Sequence, residues 1–274
     1  MYSNERGGRI VPLSSWVYNI REELSSFIST RQGLAAFDFD NTLIKNDFGE
    51  AIMLRICKSG KLKNPKKFSH LFSSPLEAEK LFEEKNNIKI TEFINKEYET
   101  ILETKGLEFA YRWTSFIFSG FTPSEFKEIS LNVWREGIAK REIYPYPAML
   151  QMIKFLKQNH WKVYIVTASP SFAIEIISRE FNISSDNVIG MNLELDDEIH
   201  MTPKIIEPYT YGEGKVEAFL KKTGKLPDLS FGDTINDFPL LQKSEKAVLI
   251  DRNKYPDLVE KCKNSGILIQ PVFS

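Results

Sequence analysis

Two aspartates, two residues apart, follow a short apolar run and could carry out phosphoryl chemistry. Residues 34–37 (Leu-Ala-Ala-Phe) lead directly into Asp38, and Asp40 comes after one phenylalanine. One carboxylate in such a pair can attack phosphorus while the other handles the proton of the leaving group. Carboxylate oxygens also suit a hard cation such as Mg²⁺. An acidic loop without chemistry would look the same, so the pair needs support from elsewhere in the chain.

A second apolar run, residues 162–166, ends in Thr167, Ala168 and Ser169. A hydroxyl and a backbone N–H at a turn from strand to helix form a small anion site. The same residues could simply cap the next helix.

A third run, residues 229–231, ends in Gly232 and Asp233, and Asp237 follows four residues later. The glycine lets the backbone turn closely, and Asp233 could complete a metal site. An aspartate-rich turn is the competing interpretation. Upstream, Lys215 follows a Gly-Glu-Gly turn, where a lysine could neutralise a phosphoryl oxygen or lie at the surface.

The elements that must position these residues alternate between short buried strands and helices, which predicts an α/β fold. We expect a Rossmann-like parallel sheet with helices on both faces. Ligands bind such sheets at the carboxyl ends of the strands, where all three motifs fall. Residues 1–45 and 142–274 are predicted to form this core. Residues 1–32 are predicted to be a helical leader, with Ser14 or Ser15 as its cap.

Between about residues 46 and 141 the pattern becomes purely helical, which predicts an inserted helical cap domain. Thr122 followed by Pro123 is a strong helix start. A later helix, after Gly214, is predicted to bury Val216, Phe219 and Leu220. The five helices expected in the insert lie near residues 47–57, 76–85, 90–104, 107–119 and 123–139.

Composition limits the classes of partner. The 274 residues carry 36 Lys+Arg against 37 Asp+Glu, a net charge of −1. This balance gives no general attraction to nucleic acid or to anionic membrane. The two cysteines, Cys57 and Cys262, lack metal-ligand spacing. Without an apolar leader or membrane-length segment, we expect a soluble cytoplasmic protein whose partner is a small molecule. The oligomeric state is left open.

Together the motifs resemble those of the haloacid dehalogenase superfamily of phosphatases. Residues 38–43 (Asp-Phe-Asp-Asn-Thr-Leu) look like its first motif, Thr167 its second, Lys215 its third and residues 232–237 its fourth. The insert resembles the cap of the subgroup containing phosphoserine phosphatase and phosphocholine phosphatase.

The resemblance implies a role for each motif residue. Asp38 would be the nucleophile and Asp40 the general acid/base. Mg²⁺ would be held by Asp38, Asp233 and the backbone carbonyl of Asp40. The implied phosphate-binding residues are Thr42, Thr167, Ala168, Ser169 and Lys215. Gly232, Asn236 and Asp237 would support the site.

The substrate must be inferred from the cap. Asp47 and Glu50 could face an ammonium group, and Trp113 and Trp134 could supply aromatic walls for it. Arg112 is the nearest candidate to hold a substrate carboxylate. Because the acidic and aromatic residues would suit a positive nitrogen, we expect phosphocholine or phosphoethanolamine as the substrate, with phosphoserine as the alternative. A phosphotransferase or mutase using the same intermediate, and a non-catalytic phospholigand-binding relative, are the competing classes.

Overall fold

Six parallel strands form the main sheet of the computed structural model, which describes residues 13–273. The order across this sheet is β10-β9-β8-β1-β4-β5, so β1 lies centrally between β8 and β4. The strands of this sheet are β1 (Leu34–Phe37), β4 (Lys162–Pro170), β5 (Val188–Met191), β8 (Leu229–Gly232), β9 (Lys246–Asp251) and β10 (Leu268–Pro271).

Alternation along the strands distributes side chains to both faces of the sheet. In β1, Ala35 and Phe37 belong to one apolar cluster, and Leu34 and Ala36 belong to another on the opposite face. Phe37 stacks on Phe231 of the neighbouring strand with ring centroids 4.3 Å apart. The helices outside the insert are α1 (Tyr18–Ser29), α7 (Pro147–Gln158), α8 (Ser171–Ile177), α9 (Glu213–Thr223), α10 (Phe238–Lys243) and α11 (Pro256–Asn264). This arrangement confirms the predicted α/β fold.

Residues between the first two motifs form five α-helices and one 3₁₀ turn, at Pro65–Leu71. Thr122 and Glu125 form the reciprocal capping box expected at a strong helix start. Asp47 caps the first of these helices by accepting a hydrogen bond from the Glu50 amide at 2.8 Å. The five helices are α2 (Phe48–Lys58), α3 (Pro75–Glu84), α4 (Asn87–Lys105), α5 (Leu107–Phe118) and α6 (Pro123–Lys140).

Two small antiparallel ribbons tie these helices to the sheet. The first pairs β2 (Ile44–Lys45) with β3 (Tyr144–Pro145), where the chain leaves and re-enters the core. The second is a hairpin of β6 (Leu193–Leu195) and β7 (Met201–Ile205). The Gly120 amide donates to the Met201 carbonyl at 2.7 Å, so this hairpin also bonds to the loop between α5 and α6.

Several sequence expectations need correction. The first described helix begins at Tyr18, and neither Ser14 nor Ser15 caps it, because Val17 occupies the cap position without a side-chain bond. Residues 1–12 of the predicted leader lie outside the described residues. Leu220, predicted to point inward, is 38% exposed, because it lies on the solvent side of α9.

Cys57 and Cys262 are free, buried thiols in α2 and α11. Among residues 13–273, no helix is both long enough and apolar enough to cross a membrane.

Candidate active site

Three adjacent strands bring the predicted motifs to one edge of the sheet. Asp38 follows the central strand β1, Asp233 follows β8 on one side, and Thr167 lies near the end of β4 on the other. Gly232 permits the close packing of the β8 turn, because a Cβ there would lie 2.4 Å from the Asp237 Cβ. The sheet topology therefore assembles the site from residues that are distant in the sequence.

Lys215 is fully buried beneath Asp38 and links two motifs. Its ammonium donates to Asp38 Oδ1 at 2.7 Å and to Asp237 Oδ1 at 2.5 Å. Burial alone would lower the pKa of this lysine, but Asp237 and Asp38 outweigh burial and raise the pKa. Lys215 therefore stays charged and holds the Asp38 carboxylate in place.

Asp237 organises the turn after β8. Its Oδ2 accepts hydrogen bonds from the amides of Asp233 and Thr234, at 3.1 and 3.0 Å, and from the Thr234 hydroxyl. Asn236 accepts a bond of 2.6 Å from the Gly212 amide, in the turn that precedes Lys215. These contacts support the loops that carry Asp233 and Lys215.

Arg252 is a site residue that the sequence interpretation missed. Its Nε lies 2.8 Å from Asp233 Oδ2, but neither atom makes an aligned hydrogen bond. The contact is therefore an ion pair that leaves a buried carboxylate oxygen unsatisfied. The available signal was the position of Arg252, directly after the buried strand β9, at the same sheet edge as the other motifs.

The Asp40 carboxylate is held by two donors from different elements. The Phe48 amide, at the start of α2, donates to Oδ1 at 2.7 Å, and the Ser169 hydroxyl donates to Oδ2 at 2.6 Å. Burial, followed by repulsion from Asp47, raises the pKa of Asp40 well above its ordinary value. A raised pKa favours the protonated form of Asp40, which a general acid requires.

Three carboxyl groups converge closely enough to hold a cation. Asp38, Asp233 and Asp237 each offer an oxygen within 4.8 Å of the others. Burial and repulsion from Asp237 raise the pKa of Asp38 to about 6, and burial and repulsion from Asp38 raise that of Asp233.

This donor set fits a hard divalent cation, which would neutralise the repulsion and satisfy Asp233 Oδ2. Asp237 is already engaged by Lys215 and the turn amides. Asp38 and Asp233 therefore have the freer oxygens.

Some of the predicted phosphate-binding residues line the pocket above Asp38, and others are buried. Thr167, Ala168 and Ser169 line the pocket above Asp38. Thr42 is fully buried, donates to Asp233 Oδ1 at 3.3 Å, and is not among the pocket-lining residues. The side chain of Thr42 therefore supports Asp233, and its role in phosphate binding stays a prediction. The predicted strand ending at Val166 continues to Pro170, with an irregularity in its pairing to β5.

A pocket of about 190 Å³ lies above Asp38, between the sheet edge and the inserted helices. Asp47 and Glu50 of the α2 start line it, as expected. Burial raises the pKa of both carboxyls, and the Asp47 charge raises that of Glu50 further. The other residues that line the pocket are Asn41, Gly49, Met53, Tyr98, Leu107, Tyr111, Thr114, Phe118, Pro170, Met191, Tyr209, Thr234 and Tyr255.

Trp113 and Trp134, expected to line the pocket, pack elsewhere. Trp113 donates to the Leu71 carbonyl at 3.0 Å within the aromatic core of the insert. Trp134 donates to Glu180 at 2.9 Å and packs against Phe48.

Arg112 also lies away from the pocket. It pairs with Glu108 and Glu207, at 3.1 and 2.8 Å. The rotation of α5 about its axis explains why Arg112 and Trp113 do not line the pocket. Tyr111, Thr114 and Phe118 lie on the face of α5 that lines the pocket, at spacings of three and four residues. The intervening positions turn away.

Comparisons with known proteins agree with this architecture. A family model for haloacid dehalogenase-like hydrolases matches residues 35–242. No sequence match was found among curated proteins. A functionally unknown protein from Anaerococcus prevotii DSM 20548 aligns with a TM-score of 0.68 and 18% identity, covering 93% of this chain and 92% of its own.

Two further solved structures are similar. A protein of unknown function from Bordetella pertussis Tohama I aligns with a TM-score of 0.66 and 19% identity, covering 88% of this chain and 99% of its own. A substrate-bound phosphoserine phosphatase complex aligns with a TM-score of 0.54 and 17% identity, covering 89% of this chain and 95% of its own. At these identities the likeness establishes the fold.

Proposed function

The chain belongs to the haloacid dehalogenase-like hydrolase family, and we propose that it hydrolyses small phosphomonoesters through a covalent phosphate on Asp38, with Mg²⁺ bound. One observation carries the proposal. Asp38 opens onto the pocket at the end of the central strand, while Lys215 holds one of its oxygens from below. A carboxylate fixed in this way presents its other oxygen to a bound ester.

In the first step, a carboxylate oxygen of Asp38 attacks phosphorus and the bond from phosphorus to the ester oxygen breaks. Asp40 gives its proton to the departing alcohol oxygen. The raised pKa of Asp40 supports this direction of transfer, and the Ser169 and Phe48 donors fix the carboxyl group that must transfer the proton.

In the second step, water attacks the phosphorus of the aspartyl-phosphate. Asp40, now ionised, takes a proton from that water, the bond from phosphorus to Asp38 breaks, and inorganic phosphate leaves. One residue thus serves as acid and then as base. Thr167, Ala168 and Ser169 line the part of the pocket where the phosphoryl oxygens would bind. The Ser169 amide donates to the Thr167 hydroxyl oxygen at 3.1 Å, which leaves the Thr167 O–H available as a donor.

Asp38, Asp233 and the backbone carbonyl of Asp40 would hold the Mg²⁺. When bound, this ion offsets negative charge on the phosphoryl group and on the clustered carboxylates. Asp237 would position the Asp233 turn through its amide bonds.

We propose that residues 46–141 act as the cap that confers substrate specificity. Asp47, Glu50, Tyr98 and Tyr111 contribute from this segment to the pocket above Asp38. A cap in this place would exclude water during phosphoryl transfer and contact the alcohol part of the ester.

The pocket favours an alcohol part that carries a positive nitrogen. Two carboxylates, Asp47 at the N-cap of α2 and Glu50 in its first turn, line the pocket. Among the described lining residues the one cationic side chain is Arg252, and it pairs with Asp233. A substrate carboxylate would be buried without a partner, which is costly. Phosphoethanolamine and phosphocholine are therefore preferred over phosphoserine.

The test is a panel of esters assayed with Mg²⁺: phosphoethanolamine, phosphocholine, phosphoserine, glycerol phosphate and p-nitrophenyl phosphate. We expect the two cationic esters to have the highest kcat/KM and EDTA to abolish turnover. No hydrolysis of any member would refute the function. Equal or better hydrolysis of phosphoserine or glycerol phosphate would refute the substrate class alone.

A further inference from the structure

Gly49 occupies a position in the first turn of α2 where the backbone does not require glycine. It is the second residue of the helix and has no positive φ. Inside a helix glycine is a weaker helix former than alanine, so local structure alone would favour a side chain here. What distinguishes the position is the space beside it.

That space is filled by the side chain of Ser169. A Cβ at position 49 would lie 2.7 Å from Ser169 Oγ, whereas Asp47 Oδ1 and the Ser169 Cβ would be 3.4 and 3.6 Å away, in ordinary contact. The same Ser169 Oγ donates the 2.6 Å hydrogen bond to Asp40 Oδ2. Among these three nearest atoms, the clash is therefore with the hydroxyl that holds Asp40.

The first turn of α2 is too well anchored to move away from such a clash. The Phe48 side chain is fully buried and packs against Trp134, with ring centroids 5.4 Å apart. The Phe48 amide donates to Asp40 Oδ1 at 2.7 Å. The Ser169 hydroxyl can turn away by rotation about a single bond. A side chain at position 49 would therefore displace this hydroxyl before it moved the helix.

We infer, resting on the proposed function, that Gly49 is a positioning residue for the general acid Asp40. Its lack of a side chain leaves room for the Ser169 hydroxyl on one oxygen of Asp40, while the Phe48 amide donates to the other. Asp40 is thus held between β4 of the sheet and α2 of the insert. The insert that lines the pocket for the alcohol also orients the group that protonates this alcohol.

The test compares the wild-type chain, Gly49→Ala, Ser169→Ala and the double variant in single-turnover assays. Phosphoethanolamine and glycerol phosphate have alkoxide leaving groups that need a proton, and p-nitrophenyl phosphate does not. We expect Gly49→Ala to slow alcohol release from both alkyl esters about 10–100-fold, as Ser169→Ala does, the range of a hydrogen bond to a charged group. Release of p-nitrophenolate should slow far less.

The double variant separates a clash with Ser169 from a mere narrowing of the pocket by the added methyl group. Without the Ser169 hydroxyl, the closest approach of that residue to the new Cβ is the 3.6 Å contact with its own Cβ. We therefore expect the double variant to match Ser169→Ala on every ester. Its Tm, measured by calorimetry, should be no lower than that of Ser169→Ala.

Three results would overturn the inference while the wild-type chain still hydrolyses the esters, so that the proposed function stands. Gly49→Ala could slow alkyl and p-nitrophenyl esters equally, it could slow neither, or the two substitutions could multiply in the double variant. Absence of turnover by the wild-type chain on every ester would refute the function and the inference together.

Discussion

The two ends of the pocket are built differently. The end that we propose binds the phosphate, called the phosphate end, consists of Asp38, Lys215, Asp233 and Asp237, whose charged atoms contact one another or Arg252 at 2.5 to 2.8 Å. At the end proposed to contact the alcohol, called the alcohol end and formed by Asp47, Glu50, Tyr98, Tyr111 and Tyr209, Asp47 caps a helix. The Tyr209 hydroxyl there has no partner among the described residues.

The difference indicates that the two ends of the pocket serve different functions. A network of close ion pairs holds reacting groups in fixed positions and depends little on which alcohol leaves. Polar groups with spare hydrogen-bonding capacity respond to whichever ligand fills the space. Substitutions at the phosphate end should therefore change the rate on every ester or the stability of the fold, whereas those at the alcohol end should change selectivity.

The largest difference in rate should appear when one aspartate at each end of the pocket is replaced by asparagine and the two variants are compared. Asp38→Asn removes the proposed nucleophile and should lower kcat by at least ~10⁴-fold on every ester. Asp47→Asn is the matched control, because asparagine caps a helix as well as aspartate does. Initial rates with p-nitrophenyl phosphate compare the two. Near-normal turnover by Asp38→Asn would rule out the covalent mechanism.

Next in size is the cost of breaking the buried charge network. Lys215→Met leaves Asp38 and Asp237 without their cation and should reduce the free energy of unfolding by about 3–5 kcal/mol. Lys243→Met breaks an exposed pair with Glu213 and should cost roughly 0–1 kcal/mol. Urea unfolding of both variants measures the contrast. Equal losses of unfolding free energy would show that the buried ion pairs at the phosphate end contribute no more to stability than an exposed pair.

Magnesium should stabilise the phosphate end in a pH-dependent way. The pKa of Asp38 is raised to about 6 in the fold from 3.8. Its charged form therefore destabilises the metal-free protein above pH 6, and this penalty disappears as the pH falls towards 4. Saturating Mg²⁺ should raise Tm by roughly 5–10 °C at pH 7.5.

The same ion should raise Tm much less at pH 5, where protonated carboxyls bind metal poorly. Differential scanning calorimetry with and without Mg²⁺ at both pH values measures whether the increase in Tm is larger at pH 7.5, as expected. The variant Asp233→Asn should show little Mg²⁺ effect at pH 7.5. A larger Tm increase at pH 5 than at pH 7.5 would contradict the assignment.

Ser169 should matter only where a leaving group needs a proton. Ser169→Ala removes the 2.6 Å bond to Asp40 and should lower kcat about 10–100-fold for alkyl phosphates. The p-nitrophenolate ion leaves without a proton, so its release should slow far less. A uniform loss on both kinds of ester would mean that Ser169 supports the loop and not the acid.

The smallest effect should be at the rim of the alcohol end. Glu50→Gln removes one partly solvated charge and should lower kcat/KM several-fold for cationic esters, the range of ~1 kcal/mol for an exposed pair. Glycerol phosphate, which carries no cation, should be hydrolysed as before. The effect should shrink at high salt. An equal loss on glycerol phosphate would remove Glu50 from substrate recognition.

The phosphate end could be predicted from the sequence because its chemistry follows strand ends. Asp38, Thr167 and Asp233 each come directly after a short apolar run, and parallel strands bring such positions to one edge. The α/β fold and the positions of the helices α2–α6 followed from similarly local signals, such as the capping box at Thr122. These features depend on residues that are neighbours in the chain.

The alcohol end could not be predicted in the same way. Trp113 and Tyr111 lie two residues apart on α5, and only the packing of that helix shows that Tyr111 faces the pocket while Trp113 faces Phe72. Tyr209 enters from a loop almost a hundred residues later. Helix rotation and long-range packing decide which side chains share a cavity. For this reason the residues proposed to act on phosphorus are evident in the linear sequence, while those that meet the alcohol emerge only in the folded chain.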